Sequence, residues 1–244
     1  MDTTRLAEKL VSWIRERVSA SGRKGVVLGL SGGVDSSVAA VLCQQTLPQN
    51  TLGIIMPCYS HPEDREHALT LASKFTIPTK TVVLDSVYDA LLKVLPEDKV
   101  SPAAGRLAQA NLKVRLRMLT LYYFANQLDY IVVGSSNRSE LAVGYFTKYG
   151  DGGVDIIPLG KLVKRQIKEL ACSLGIPPEI IDKPPSAGLW PGQTDEADLG
   201  FSYDQLDRYL VSDEAPDEAR RRIESMITAS AHKHQPPLVA DFPD

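Results

Sequence analysis

Short runs of apolar residues alternate along the chain with longer segments in which apolar residues recur every three or four positions. The first run covers residues 26–30 and is bounded by glycines. Later runs cover 52–56, 81–84, 130–133 and, more weakly, 154–157. Because these runs do not alternate with polar residues, they predict strands that are buried on both faces. Such strands are typical of a parallel sheet.

Amphipathic helices are predicted around these strands. The opening segment has Leu6, Leu10 and Trp13 at helical spacing and ends near Ser21. Further helical patterns cover residues 36–45, 63–75, 87–95 and 107–128. This alternation predicts an α/β fold, a doubly wound and mostly parallel sheet with flanking helices and right-handed crossovers.

The helix predicted over residues 107–128 is apolar around most of its circumference. Leu107, Val114 and Leu121 belong to one apolar stripe, and Leu112 and Leu119 belong to a second. A helix with two apolar stripes is covered on two sides. It is either a central core helix, or a helix that packs on the sheet and also on a second subunit.

The strand–helix alternation stops after residue 157. A helical pattern over 164–175 is followed by residues 183–192, which contain three prolines and two glycines and can be neither helix nor central strand. Two short helical patterns follow, over 203–210 and 217–227. We therefore expect residues 1–244 to form a single domain, with 161–244 as a helical and loop appendage.

Composition and charge limit the possible partners and the cellular compartment of the protein. The formal charge of −3 gives no reason to expect a nucleic acid or membrane partner. Three widely spaced cysteines, Cys43, Cys58 and Cys172, argue against a disulfide framework or a zinc cluster and fit a reducing compartment. No apolar stretch reaches the ~18 residues of a membrane span. We expect a cytoplasmic protein.

The strongest chemical signal directly follows the first predicted strand. Glycines there let backbone N–H groups approach an anion, serines add hydroxyl donors, and the next helix directs its positive N-terminus at the same place. The segment predicts a phosphate-binding loop, although it is not a Walker A loop because no lysine follows the glycines. Its residues are Gly29, Leu30, Ser31, Gly32, Gly33, Val34, Asp35, Ser36 and Ser37.

Asp35 is unusual in a site for anions. A carboxylate repels phosphate unless a divalent cation lies between them, so Asp35 suggests a metal-bound nucleotide. Alternatively, Asp35 only stabilises the N-terminus of its helix. Residue type alone leaves both interpretations open.

The pattern Ser-Gly-Gly-x-Asp-Ser resembles the pyrophosphate loop of the ATP pyrophosphatases, which cleave ATP between the α- and β-phosphates. The second half of the chain resembles, more narrowly, the ammonia-dependent NAD synthetase family. The resemblance runs from about residue 26 to residue 233. Its most specific segments are Gly134-Ser-Ser-Asn-Arg-Ser-Glu140, Gly144-Tyr-Phe-Thr-Lys-Tyr-Gly-Asp-Gly, Lys183-Pro-Pro-Ser-Ala-Gly-Leu-Trp190 and His232-Lys233.

The resemblance implies an adenine nucleotide α-hydrolase-like fold and a two-step reaction. ATP adenylates the nicotinate carboxylate of deamido-NAD, and ammonia then displaces AMP to give NAD. Residues 29–37 with Ser135, Lys164 and Ser186 would bind ATP, and Asp35 and Lys164 would be catalytic. Asp35 and Glu140 would hold Mg²⁺. The residues implied for deamido-NAD are Arg115, Lys148, Asp155, His232 and Lys233.

Several of these residues have a plainer interpretation. Glu140 could cap a helix that starts after Asn137, Lys164 could lie on a solvated basic helix face, and His232 could cap the last helix. Ser135 and Ser186 stand where the family often has Thr, so the hydroxyl is kept.

Only one of two neighbouring arginines can face the substrate. Arg115 and Arg117 lie about 200° apart around a helix, so they cannot face one ligand together. We expect Arg115 to face the substrate. The basic residue common in the family after His-Lys is His234 here, which leaves that contact less defined.

The nitrogen donor and the partners follow from the same resemblance. The chain reaches its phosphate loop at Ser31, which leaves no room for an amino-terminal glutaminase domain, so we expect free ammonia as donor. Whether a separate glutaminase delivers it stays open. The family also implies a homodimer, with the 107–128 helix as the candidate contact.

Two other functions are weighed against this one. A tRNA-thiolating enzyme of the same superfamily would carry paired cysteines and a basic surface, whereas residues 195–218 hold nine acids against one arginine. A non-catalytic nucleotide sensor would not need both presumed metal carboxylates.

Overall fold

Four parallel strands form one sheet in the computed structural model, which describes residues 2–96, 100–190 and 192–242. The strands are β1 (Gly25–Gly29), β2 (Thr51–Ile55), β3 (Thr79–Thr81) and β4 (Tyr130–Val133), in the order β3-β2-β1-β4. β1 lies in the centre, with Val27 beside Leu52 of β2 on one side and Val132 of β4 on the other.

Helices account for most of the remaining chain. They are α1 (Thr3–Ala20), α2 (Val34–Thr46), α3 (Pro62–Lys74), α4 (Asp85–Val94), α5 (Pro102–Leu128), α6 (Arg138–Val143), α7 (Lys164–Ser173), α8 (Pro178–Ile181), α9 (Asp195–Leu199), α10 (Tyr203–Ser212) and α11 (Asp217–Ser230), followed by a 3₁₀ turn at Ala231–Lys233. None of the described helices is both long and apolar enough to cross a membrane.

Both faces of the sheet are covered. Successive strand residues point to opposite faces, so Val26 and Leu28 of β1 pack on one side and Val27 on the other. The first side is covered by α1, α2, α3 and α7. The second is covered by α4 and α5. The predicted doubly wound α/β fold is confirmed.

The order of the strands creates a crevice. The chain passes from β1 to β2 and β3 in one direction, and then returns across β1 to β4. In parallel sheets, ligands bind where the strand order reverses, at the carboxyl ends of the strands. Here that point lies between the loop after β1 and the segment after β4.

Two predicted strands have different bounds from those expected. The strand predicted at 81–84 is β3 at Thr79–Thr81, and the residues at 154–157 form only a single bridge, between Ile156 and Val133. β3 is an edge strand with one neighbour, so its outward residues can be polar. Val82 and Leu84 are apolar because they pack under α4 and α5, beyond the end of the strand.

The C-terminal helices are held in two ways. Ile167 of α7 and Ile180 of α8 lie in the main core beside α2. In contrast, α10 and α11 enclose a smaller core around Leu206 and Ile223, which also takes Val143 from α6. This smaller core joins the C-terminal part to the segment that follows β4.

Candidate active site

The loop between β1 and α2 has the conformation of an anion-binding turn. Gly32 has φ of +78°, and a Cβ there would lie 2.1 Å from the backbone oxygen of Asp64. Both features require glycine. Gly33, the residue immediately before α2, has no side chain to cap the first helical N–H groups. They remain available in the first turn for an anionic ligand.

The serine hydroxyls of this loop bind the loop itself. Ser36 Oγ and Ser37 Oγ donate to the Gly33 carbonyl over 3.0 and 2.8 Å, and the Gly33 amide donates to Ser31 Oγ over 3.3 Å. In this structure they brace the turn, so the backbone amides are its main donors toward a ligand.

Asp35 is joined to residues from two distant segments. Its Oδ2 lies 2.5 Å from Nζ of Lys164, at the start of α7. Its Oδ1 accepts a hydrogen bond of 2.8 Å from Asn137 Nδ2, just before α6. Lys164 is 4% exposed and Asn137 is fully buried, so the alternative of a solvated basic face for Lys164 is wrong. Asp35 is therefore more than a helix cap.

Glu140 has two roles in the geometry. Its Oε2 accepts from the Asn137 amide at 3.1 Å, and its own amide donates to Asn137 Oδ1 at 3.0 Å, which is a capping box. Its Oε1 also lies 3.5 Å from Lys164 Nζ. The interpretation of Glu140 as a capping residue is thus confirmed, and the same carboxylate lies near the Lys164 ammonium group.

Charge is concentrated around Lys164. Burial, and next the charge of the neighbouring Asp35, raise the pKa of Glu140 to about 8. Burial opposes the charge of Lys164, but Asp35 and Glu140 outweigh it and raise the pKa of the lysine. We call Lys164, Asp35, Asn137, Glu140 and Tyr203 the Lys164 cluster.

Tyr203 was missed by sequence reasoning. Its ring centroid lies 4.9 Å from Lys164 Nζ, a distance at which an aromatic face attracts an ammonium group. Its hydroxyl donates to Asp195 Oδ2 at 3.0 Å, and Asp195 Oδ1 accepts from Tyr145 at 3.2 Å. These residues come from separate elements, so no local motif announces them.

The residues expected to bind deamido-NAD fall mostly into a second group. Arg115 is exposed and donates to the Lys148 carbonyl over 3.3 Å. Lys148 Nζ donates to the carbonyls of His232 (2.7 Å) and Gln235 (3.1 Å). In return, Lys233 Nζ donates to the carbonyls of Gly144 and Phe146, at 2.7 and 2.8 Å. We call this reciprocal arrangement the C-terminal clasp.

The other predicted residues lie apart from these two groups. Asp155 binds the Val132 amide at 2.7 Å and the Tyr122 hydroxyl at 3.1 Å. Ser135 is half-buried beyond the end of β4. Ser186 Oγ donates to the Gln193 carbonyl at 2.8 Å. Arg117 points away from Arg115 and donates to the Met56 carbonyl, past the end of β2, at 3.2 Å.

The segment at 183–190 lies beside the phosphate loop. Lys183 pairs with Asp64, whose backbone oxygen abuts Gly32. Farther along, the Leu189 carbonyl accepts a 2.9 Å hydrogen bond from Lys113, a buried residue of α5. The segment is irregular, as its prolines and glycines predict.

The described residues contain no group of three or more His, Cys, Asp or Glu side chains placed to hold a metal ion. Asp35 and Glu140 instead offer two carboxylates that both lie near the ammonium group of Lys164.

Comparison with known proteins places the chain in a family. A sequence model described as NAD synthase matches residues 6–237. The chain belongs to the NAD synthase family. It is 48% identical to an NH(3)-dependent NAD(+) synthetase of Carboxydothermus hydrogenoformans over 232 residues, which cover 95% of each chain.

Two solved structures resemble nearly the whole chain. An NMN synthetase from Francisella tularensis has a TM-score of 0.93 and 36% identity, covering 99% of this chain and 100% of the other. An NH3-dependent NAD synthetase from Campylobacter jejuni, in complex with nitrate, has a TM-score of 0.83 and 30% identity over the same shares.

Proposed function

We propose that this chain is an ammonia-dependent NAD synthetase, a ligase that converts deamido-NAD to NAD with ATP. The observation that carries the proposal is the Lys164 cluster, which lies beside the glycine-rich turn at the switch point of the sheet. That arrangement suits a nucleotide whose phosphates need both backbone donors and positive charge. The Carboxydothermus hydrogenoformans relative is named for the same reaction, and the match covers 95% of each chain.

The first step requires the nicotinate carboxylate to attack the α-phosphorus of ATP. An oxygen–phosphorus bond forms, pyrophosphate leaves, and the carboxyl group becomes a mixed anhydride with AMP. Residues 29–37 would hold the phosphates through their backbone N–H groups. Lys164 would stabilise the negative charge that develops on them. Ser135 and Ser186 would contact the nucleotide from the flanking segments.

The second step requires ammonia to attack the activated carbonyl carbon. The carbon–nitrogen bond forms, and the single bond between the carbonyl carbon and the phosphate oxygen breaks. AMP leaves with the electrons of that bond, and the nitrogen loses a proton. Because AMP is the leaving group, no nucleophilic side chain is needed. The task of the protein is to align the carboxylate with the α-phosphate.

A divalent cation fits the acidic part of the cluster. Asp35 and Glu140 bring two carboxylates together in a buried place, where burial and then the nearby Asp35 raise the pKa of Glu140 against the opposing charge of Lys164. We infer that these two side chains hold Mg²⁺, with the nucleotide phosphates and water as the other ligands. When bound, the ion would neutralise charge on the pyrophosphate.

Arg115, Lys148, Asp155, His232 and Lys233 would bind deamido-NAD. In support of this, Arg115 lies against Lys148, which together with Lys233 forms the C-terminal clasp. Asp155 would act by fixing the end of β4 through the Val132 amide. The clasp would have to exchange some of its lysine–carbonyl bonds for contacts with the substrate.

We also infer how the chain is organised in the cell. We expect a homodimer through α4 and α5, because Val87, Leu107, Leu119 and Tyr123 are exposed apolar residues of these helices. The cytoplasm suits three free thiols and an ATP-consuming reaction. The chain would work as one synthetase domain, with residues 161–244 as an appendage that supplies Lys164 to the site.

A second candidate function is amidation of nicotinate mononucleotide to NMN. It is favoured by the TM-score of 0.93 with the Francisella tularensis NMN synthetase. Both reactions use the same nicotinate carboxylate and the same Lys164 cluster. The two substrates differ only in the adenylyl half, which deamido-NAD has and the mononucleotide lacks.

One assay tests both candidates. The purified chain is incubated with ATP, Mg²⁺ and ammonium, together with either deamido-NAD or nicotinate mononucleotide, and NAD, NMN, AMP and pyrophosphate are measured by mass spectrometry. We expect AMP to form in equal amount to NAD, and a higher kcat/KM for deamido-NAD.

Preference for the mononucleotide would favour the second candidate. Turnover with glutamine but not ammonium would contradict the nitrogen donor. Release of no pyrophosphate with either substrate would overturn both functions.

A further inference from the structure

The residue that precedes α7 has no side chain that could cap the helix. The residue before its first turn is Val163, whose side chain has no hydrogen-bond acceptor. The first residue of α7 is Lys164, the lysine at the centre of the cluster. Uncapped N–H groups at a buried helix start are costly, so an acceptor from elsewhere in the chain is expected.

Asp207 of α10 supplies that acceptor. Its Oδ2 accepts from the Arg165 amide at 2.7 Å, and its Oδ1 accepts from the Lys164 amide at 3.3 Å. Asp207 is only 6% exposed. A carboxylate at this place also interacts favourably with the positive end of the helix dipole.

The same carboxylate binds α6. Ser139 Oγ donates to Asp207 Oδ1 over 2.5 Å and accepts from the Lys164 amide over 3.1 Å. Ser139 is adjacent to Glu140, the second acid of the cluster. One buried carboxylate therefore joins the segment that carries Glu140 to the segment that carries Lys164.

α10 contacts Lys164 a second time, one turn earlier. Tyr203 lies four residues before Asp207, so the two side chains share a face of the helix. The Tyr203 ring lies 4.9 Å from the ammonium group, while Asp207 binds the backbone of the same lysine. The small core around Leu206, between them, fixes α10 against α6 and α11.

We propose that Asp207 is a positioning residue for the reaction, which sets the distance between Lys164 and the acids Asp35 and Glu140. This inference rests on the proposed function, because it assigns Lys164 to phosphate chemistry. The ammonium group must lie within hydrogen-bond reach of Asp35 and of the nucleotide, and small errors in such placement reduce rates strongly. Asp207 does not touch the substrate; it acts through Lys164 and Glu140.

The test is a double-mutant cycle between Asp207→Asn and Lys164→Met. Asparagine keeps the volume but loses the charge and one acceptor. We expect Asp207→Asn to lower kcat about 10- to 100-fold, as is typical of supporting side chains, and to change KM for deamido-NAD less than about threefold. In the Lys164→Met background, Asp207→Asn should change kcat less than about twofold, because its effect passes through the lysine.

Asp204→Asn is the matched control. Asp204 lies on the same helix, but it is exposed and pairs with Arg208. We expect this variant to keep the native kcat. Equal losses from Asp207→Asn in the native and Lys164→Met backgrounds would overturn the proposal, as would equal losses in the Asp204→Asn and Asp207→Asn variants.

A smaller change covers the case in which Asp207→Asn does not fold. Ser139→Ala removes only the bridging hydroxyl and should lower kcat several-fold, again only while Lys164 is present. An unchanged kcat for Ser139→Ala, or for Asp207→Asn where that variant folds, in an active enzyme would overturn the positioning role alone. A native chain that makes no AMP with either pyridine substrate would overturn the proposed function, and the positioning role with it.

Discussion

Asp35 has contacts that bring three separate segments together. It pairs with Lys164 at 2.5 Å and accepts from Asn137 at 2.8 Å. Its location in the first turn of α2 also puts it next to the phosphate loop. A change at Asp35 should therefore affect the chemistry much more than the packing.

We expect Asp35→Asn to lower the rate of AMP formation at least about 100-fold, because a charged group that orders Lys164 and the proposed Mg²⁺ is lost. The side-chain volume is unchanged, and Lys164 still has Glu140 nearby. The thermal midpoint should therefore stay within a few degrees of the native value. Normal turnover in this variant, measured beside Asp204→Asn, would reduce Asp35 to a helix cap.

The three cysteines should differ sharply in reactivity. Burial raises the pKa of Cys43 to about 12, so at pH 8 only about one molecule in ten thousand carries a thiolate there. Burial also raises the pKa of Cys58, against the opposing charges of Arg117 and Lys113. Cys172 is exposed.

We therefore expect iodoacetamide at pH 8 to label Cys172 and leave Cys43 and Cys58 unmodified in the folded protein. Peptide mass spectrometry measures the labelling, with urea-unfolded protein as the control in which all three react. Labelling of Cys43 as fast as Cys172 in the native protein would contradict the buried position.

At this scale the sequence identified the acids and the lysine but not their neighbours. Asp35 and Glu140 could be named because each lies in a segment that resembles a motif of the family. The capping pattern Asn137-x-x-Glu140 was visible, but its contact with Asp35 spans 102 positions. Tyr203 and Asp207 lie in an ordinary amphipathic helix, and only tertiary packing aims them at Lys164.

The phosphate loop can be tested as an element. Gly32 has φ of +78° and touches the Asp64 backbone, whereas Gly33 has φ of −93° and a Cβ there would meet only Ser31 Oγ, at 3.4 Å. We expect Gly32→Ala to lower the free energy of unfolding by about 1–3 kcal/mol, through backbone strain and overlap. Urea denaturation measures this.

Gly33→Ala is the matched control for stability in the same turn. It should change the free energy of unfolding by less than about 0.5 kcal/mol. Equal losses for the two variants would mean that the loop does not depend on the conformation of Gly32.

Element boundaries were predictable where burial matched the pattern. β1, β2 and β4 are buried strands, and their apolar runs mark them directly. The predicted bounds of β3 were wrong, because an edge strand with Lys80 in its middle has no continuous apolar run. The helices α6, α8 and α9 have four to six residues, which is too short for a helical period to be recognised.

At the scale of the whole molecule, the strand order explains why distant motifs form one site. The return from β3 across β1 to β4 brings residues 134–140 beside the loop at 29–37. The sequence predicted the doubly wound class, and the crevice follows from it. The sequence does not decide whether the helix at 107–128 is a central core helix or also packs on a second subunit, because a single chain does not reveal what covers its outer stripe.

In the structure, one face of that helix is buried and another is exposed. Leu116, Leu121 and Ala125 are buried against the sheet, whereas Leu119 and Tyr123 are 64% and 62% exposed. Arg115, Leu119 and Tyr123 are spaced by four residues and so follow one face of α5. Arg115, which we expect to bind deamido-NAD, therefore borders the proposed dimer contact.

We expect the double variant Leu119→Glu and Tyr123→Glu to weaken the dimer at least about 100-fold, because like charges brought together across an interface cost several kcal/mol. Sedimentation over a range of concentrations measures the effect. The control is Val211→Glu, on α10, where an equally exposed valine (59%) lies far along the chain from α5. The control should keep the native mass.

Since Arg115 lies one turn from Leu119, the monomeric variant should also show a higher KM for deamido-NAD. Its thermal midpoint should change little, because Leu119 and Tyr123 both face outward. A native chain that sediments as a monomer at all concentrations would show that the exposed face of α5 has no partner of its own kind.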